Sequence, residues 1–175
     1  MEKALKILNE MKRKKLISAY AIGGGVAAIR YMESVLTYDV DIFFIPTTPD
    51  ALLLDMTPLI EFLKTKGGKA DKECVILEGV PVQLIPAYND LVVDAVNKAE
   101  PVMYGKVKTR ILRKEHVLAI MLQTGRPKDL LRMGQLFEQA PPAMAGWIRL
   151  LKKYGLIEKW KRYWEKANEP RKTVR

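Results

Sequence analysis

Three consecutive glycines, Gly23, Gly24 and Gly25, follow one apolar run, and two aspartates, Asp39 and Asp41, stand at alternate positions just ahead of another. A glycine turn that leads from a strand into a helix presents unpaired backbone N–H groups to an anion, and without side chains phosphate oxygens can approach them closely. On a strand, residues two apart leave the same face, so Asp39 and Asp41 would present two carboxylates together. Paired carboxylates supply the hard oxygen ligands that Mg²⁺ or Mn²⁺ takes, with room left for phosphate oxygens and water. Neither half is specific alone, because glycine pairs are common in turns and Asp-x-Asp arises by chance.

Other readings of these residues fit less well. Scanned as Gly23-x-Gly25-x-x-Ala28, the glycines match a dinucleotide fingerprint, which expects its acid at the end of the second strand. Here the acids come first and "IFFIP" follows, and the chain lacks repeated strand–helix alternation. A P-loop is excluded because no Gly-Lys-Ser/Thr follows the glycines. Ser18 and Ser34 lack the histidine and acid pattern of a serine hydrolase. Cys74, the sole cysteine, rules out an internal disulfide and reads as a structural thiol in or beside a strand. His116 precedes an apolar run, and no spacing supplies partners for a metal trio, so it is expected on a helix surface or half-buried.

The elements that must position the glycines and aspartates follow from periodicity. Lys3 to Lys15 has apolar residues on one helix face, with Lys12-Arg13-Lys14-Lys15 suited to its last turn. "LISAYAI", Leu16 to Ile22, reads as a buried strand, Val26 to Met32 as a short helix, and Val40 to Ile45 as a strand ended by Pro46. A helix is expected from Pro49 to Lys66, opened by Thr48 and Asp50 and closed by Gly67-Gly68. Cys74 to Leu77 and Val82 to Ile85 read as a hairpin around Glu78-Gly79-Val80-Pro81. "LVVDAV" is open between helix and extended arm, and "PVMYGKVKTRILR" allows a short strand. Helices follow over His116 to Gln123, Lys128 to Gln139, Trp147 to Tyr154 and Leu156 to Lys166, with Gly155 between the last two.

The fold expected is α/β (α+β): a short mixed sheet in a core over residues 1–109, with a helical C-terminal portion over 110–175 packed on it. Apolar residues at 49% and charged ones at 29% suit a globular chain, and no apolar run approaches the ~20 residues of a membrane span. The start lacks a secretory apolar core, so a cytoplasmic location is expected. Net charge is +10. From Gly146 to Arg175 ten lysines and arginines face three glutamates. A localised basic surface attracts a polyanion, making Lys152, Lys153, Lys161 and Arg162 candidate nucleic-acid contacts. Leu150, Tyr154, Ile157, Trp160 and Trp164 follow helical spacing, which favours a core stripe over a base-stacking platform.

Taken together, helix, strand, Gly-Gly, short helix, Asp-x-Asp strand, long helix and hairpin strand resemble the nucleotidyltransferase superfamily of DNA polymerase beta. More narrowly, "LTYDVDIFF", "VPVQLIPAYNDL" and "TGRPKDLLRMGQLFEQ" look like small prokaryotic proteins akin to abortive-infection toxin-type nucleotidyltransferases, over about Leu16 to Trp164. The resemblance implies that Gly23, Gly24 and Gly25 approach the nucleotide phosphates and that Asp39 and Asp41 hold two Mg²⁺ ions. An acceptor hydroxyl then attacks the α-phosphorus and pyrophosphate leaves. It implies a third carboxylate on the hairpin strand, where this chain has Gln83, an amide that can offer one oxygen but cannot act as a base. Glu78 or Asp90 would have to stand in. Relatives often carry a lysine where Met121 falls, which turns attention to Arg126 and Lys128 as phosphate cations, with Asp129 as their neutraliser or helix cap. Two functions follow: transfer of NMP from an NTP to a hydroxyl of RNA (tRNA) or of a protein, in a toxin-type role, or a weakened nucleotide- or RNA-binding module of the same fold.

Overall fold

The computed structural model describes residues 1–33, 37–47 and 54–168. Among them the chain runs α1 (Glu2–Arg13), β1 (Ile17–Ile22), α2 (Gly24–Ile29), β2 (Val40–Pro46), α3 (Thr57–Thr65), β3 (Lys69–Asp71), β4 (Cys74–Leu77) and β5 (Val80–Pro86). It continues as α4 (Asp90–Asn97), β6 (Glu100–Tyr104), β7 (Val107–Ile111), α5 (Lys114–Thr124), α6 (Pro127–Gln139), α7 (Met144–Lys153) and α8 (Ile157–Asn168). The strands form one mixed sheet in the order β3-β4-β5-β2-β1-β7-β6, so the architecture is α+β as expected.

The centre of the sheet sets the register that matters. β1 and β2 are antiparallel, with Ile22 opposite Ile42, and β2 and β5 are parallel, with Asp41 beside Gln83. The β4–β5 hairpin turns on Glu78 and Gly79, both with positive φ (51° and 79°). That is the paired left-handed geometry of a tight turn whose twist matches its strands, and it lets β5 begin two residues earlier than the apolar pattern predicts.

Several expectations shift. The opening of the helix expected from Pro49, with Thr48 and Asp50, lies outside the described residues; the described helix α3 starts at Thr57 and has a proline in its first turn. "LVVDAV" is helical because the Asn89 side chain accepts from the Val92 N–H at 3.0 Å and caps α4. "PVMYGKVKTRILR" makes two strands, β6 and β7, paired from Glu100–Ile111 to Tyr104–Val107. β7 then joins β1 in parallel and spans the expected division at residue 109. The three-residue β3 is exposed throughout and has no apolar pattern to announce it.

The core lies between sheet and helices, with Leu5, Leu8 and Met11 of α1, Phe44 of β2, Leu63 of α3 and Leu118 of α5 fully buried. α5 is buried from His116 to Leu122, which explains its near-continuous apolar run. It packs on α2, α4 and α6. Of the expected stripe Trp160 is buried, Leu150, Tyr154 and Ile157 are half-buried against the core, and Trp164 is 46% exposed; Trp147, outside the stripe, is buried and meets Trp160 edge to face at 5.4 Å. Among the described residues no helix is long and apolar enough to cross a membrane.

His116 is not on the surface; its Nε2 lies 3.1 Å from Asp94 Oδ2 of α4. Burial alone would raise Asp94, but hydrogen bonds with His116 and Lys98 outweigh it and hold its carboxyl well below the ordinary range. An ionised Asp94 can only accept, so His116 Nε2 carries the proton and donates. Burial first, against the pull of Asp94, keeps the imidazole pKa below 6.5. The unfolded chain therefore takes up that proton first, and the stability contributed is complete above about pH 6.5 and lost as pH falls from there. Urea midpoints are expected to be lower at pH 5.5 than at pH 7.5, with a smaller difference in His116→Gln.

Candidate active site

The β1–β2 ladder brings the glycine turn and the aspartates together. The Gly23 N–H donates to the Asp41 carbonyl at 2.8 Å, directly after the Ile22–Ile42 pair, and α2 starts at Gly24. Each glycine is required by a close neighbour: an added Cβ at Gly23 would strike the Phe43 ring, and one at Gly25 would meet Thr37 at 2.8 Å. At Gly24, where φ is +53°, it would land on Asp41 Oδ2. Gly24 therefore admits the Asp41 carboxylate against the turn.

Asp39 is held separately, by Thr37 Oγ1 donating to its Oδ1 at 3.1 Å. Burial, and then the like charge of Asp39, raise the Asp41 carboxyl above its usual range, while Arg126, Lys128 and Arg132 pull it back. The cost of enclosing a carboxylate beside another is what a bound cation relieves.

One cavity of about 350 Å³ is lined by Gly24, Asp39 and Asp41 together with Arg126, the N-cap of α6, and Lys128, Asp129 and Arg132 within that helix. Phe43, Ile85, Tyr88, Leu112, Val117, Ile120 and Met121 form the apolar remainder, with Gln83 and Thr124 between. Arg126 reaches Asp129 with Nε to Oδ2 at 2.6 Å and Nη2 to Oδ1 at 3.4 Å. Asp129 is only 5% exposed, so it anchors Arg126 at the mouth of α6. Arg132 escaped the sequence reading, although it stands four residues after Lys128 and so on the same helix face.

Glu78 and Asp90 do not line the cavity. Glu78 pairs instead with Lys3 at 3.0 Å, and Asp90 opens α4. Gln83, which does line the cavity, meets the carboxylate of Glu73, whose Oε2 accepts from Gln83 Nε2 at 3.2 Å. The Cys74 thiol, next to Glu73 in the chain, is pushed up by burial and then by the charges of Asp39, Asp41, Asp71 and Glu73.

The tail cations stand elsewhere. Lys153 lies 3.5 Å from Asp94, Lys161 pairs with Glu158 at 2.8 Å, and Arg162 Nε donates to the Glu158 carbonyl at 3.3 Å. Lys152 is exposed on α7, and these four do not line the cavity.

A glycine turn feeding a short helix, beside an Asp-x-Asp strand in the middle of a mixed sheet, defines a nucleotidyltransferase-type fold. The chain has that fold: the crystal structure of ANT(2")-Ia in complex with adenylyl-2"-tobramycin aligns at a TM-score of 0.53 and 16% identity, over 90% of this chain and 95% of that one. An antigenic nucleotidyltransferase-like protein from Paracoccidioides brasiliensis aligns at 0.49 and 16% identity, over 91% of each chain. No family model and no curated protein matches the chain.

Proposed function

We propose that the protein is a Mg²⁺-dependent nucleotidyltransferase that moves NMP from an NTP to a hydroxyl, with RNA as acceptor and tRNA the first to try. The observation that supports this best is Asp41: a half-buried carboxylate beside Asp39, seated against Gly24, in one cavity with Arg126, Lys128 and Arg132. The donor chemistry fits a divalent cation, since Asp39 and Asp41 are hard oxygen ligands under mutual repulsion. Among the described residues no group of three or more His, Cys, Asp or Glu side chains gathers as a cage, so the pair suits a cation that shares its ligands with a nucleotide.

The bound cation would neutralise triphosphate charge and align the acceptor oxygen. The chain's own residues do the rest. Gly24 leaves the phosphates access to the turn, Arg126, Lys128 and Arg132 attract their charge, and the apolar wall keeps water out. The acceptor hydroxyl oxygen bonds to the α-phosphorus, the bond from that phosphorus to the oxygen bridging to the β-phosphate breaks, and pyrophosphate departs carrying the hydroxyl proton, which Gln83 cannot accept. Incubation of [α-³²P]NTPs with a tRNA pool, with protein and with aminoglycosides tests the reading; label in RNA supports it, label only in another acceptor reassigns the substrate, and no label in any contradicts it.

RNA suits the net charge of +10, and Lys152, Lys153, Lys161 and Arg162 are its candidate contacts. Reversing Lys161 and Arg162 to Glu is expected to weaken RNA binding roughly tenfold and flatten its salt dependence in filter-binding titrations. Gln83 favours a second reading, a nucleotide- or RNA-binding module of the same fold, because the third position brings no base. Metal-dependent NTP binding with no transfer to any acceptor would select it.

A further inference from the structure

Gln83 departs from the acid that the fold leads one to expect, and its surroundings give that departure a direction. It is the lateral partner of Asp41 in the parallel β2–β5 pair, and it lines the same cavity as Asp39 and Asp41. An amide has two unlike ends, a donor NH₂ and an acceptor oxygen. Glu73, which does not line the cavity, meets Gln83 from the β3–β4 turn at 3.2 Å. It is Nε2 of the amide that donates to the Glu73 carboxylate oxygen. The oxygen of Gln83 is then the end left over for the cavity.

We propose that Glu73 is a positioning residue that turns the Gln83 amide so that its Oε1 serves as a neutral third ligand to the divalent cation held by Asp39 and Asp41. This rests on the reading of the cavity as a metal–nucleotide site. Carboxylates outside the ligand set orient ligating imidazoles in the same way, and their loss costs affinity. A neutral ligand also leaves the site one negative charge fewer than a third carboxylate would, so an incoming triphosphate meets less repulsion. Gln83 is then a working ligand rather than the remnant of a lost acid.

The test is Mn²⁺ titration, read as free Mn²⁺ by electron paramagnetic resonance, on the full chain. Glu73→Gln keeps an acceptor oxygen and is expected to hold Mn²⁺ within about twofold of the unmodified protein. Glu73→Lys offers only donors, draws the Gln83 oxygen away, and is expected to weaken Mn²⁺ roughly tenfold, as is Gln83→Ala. The added lysine charge is controlled by Glu73→Lys in the Gln83→Ala background, where little further loss is expected. The inference is overturned if Glu73→Lys costs the same factor with and without Gln83, or if Gln83→Ala binds Mn²⁺ as before. Absence of Mn²⁺ binding in the unmodified protein would overturn the metal–nucleotide reading itself, and this inference with it.

Discussion

Asp41→Asn is expected to lower nucleotidyl transfer by roughly 10³-fold and, in the metal-free protein, to raise Tm by roughly 2–4 °C. Both effects have one cause. The carboxylate is enclosed beside Asp39, and its pKa in the folded chain lies above the ordinary value. Above both pKa values the carboxylate is ionised in the folded and unfolded chain alike, so the folded state bears the cost of that enclosure, and the cost lifts as pH falls through the folded pKa. The isosteric amide removes the repulsion and, with it, a ligand of the proposed cation. Calorimetry and a label-transfer assay on the same preparation check the pair of effects. A residue that served only to hold the fold would lose Tm and activity together.

Gly24→Ala is expected to be nearly as damaging by a different route. The added methyl would land on Asp41 Oδ2, and the backbone stands at φ +53°, where a side chain is strained. Either Asp41 moves or the turn does, and a displacement of about 1 Å at a reacting centre costs on the order of 10²-fold in rate. Mn²⁺ affinity is expected to fall with the rate. Gly79→Ala is the control: it also adds a methyl at positive φ, +79°, but into open space at the β4–β5 turn. Its cost should appear in the urea midpoint and leave kcat/KM unchanged.

The parts of this site that are local in sequence were legible there. The glycine turn, the alternation of Asp39 and Asp41 and the arms of the β4–β5 hairpin each depend on neighbouring residues, and the order of parts pointed to the fold that the alignment with ANT(2")-Ia bears out. Gln83 was legible as the departure because "VPVQLIP" resembles the strand on which the nucleotidyltransferase superfamily carries its third acid. What it departs toward was not. Glu73 reaches Gln83 only because β3 and β4 fold back beside β5, and the exposed Lys69–Asp71 strand carries no periodic signal. Glu78, nearer to Gln83 in sequence, was the natural candidate, yet it sits at the turn and pairs with Lys3 of α1. Of the C-terminal stripe Trp160 obeyed the core reading, packing at a tilt against Phe137 of α6 as Trp147 also does, a partner that no spacing within the tail could reveal. His116 has a partner in Asp94 but lies deeper than expected, because its helix is buried from His116 to Leu122 rather than on one face.

One measurement bears most directly on the central claim, that Asp39, Asp41 and the α6 cations form a site that transfers a nucleotide. The protein is incubated with RNA, Mg²⁺ and the same NTP labelled at either the α- or the γ-phosphorus. Nucleotidyl transfer is expected to leave α-label in the RNA and γ-label in pyrophosphate, with both signals lost in Asp41→Asn. Label entering RNA from the γ-position, or transfer undiminished in Asp41→Asn, would contradict it.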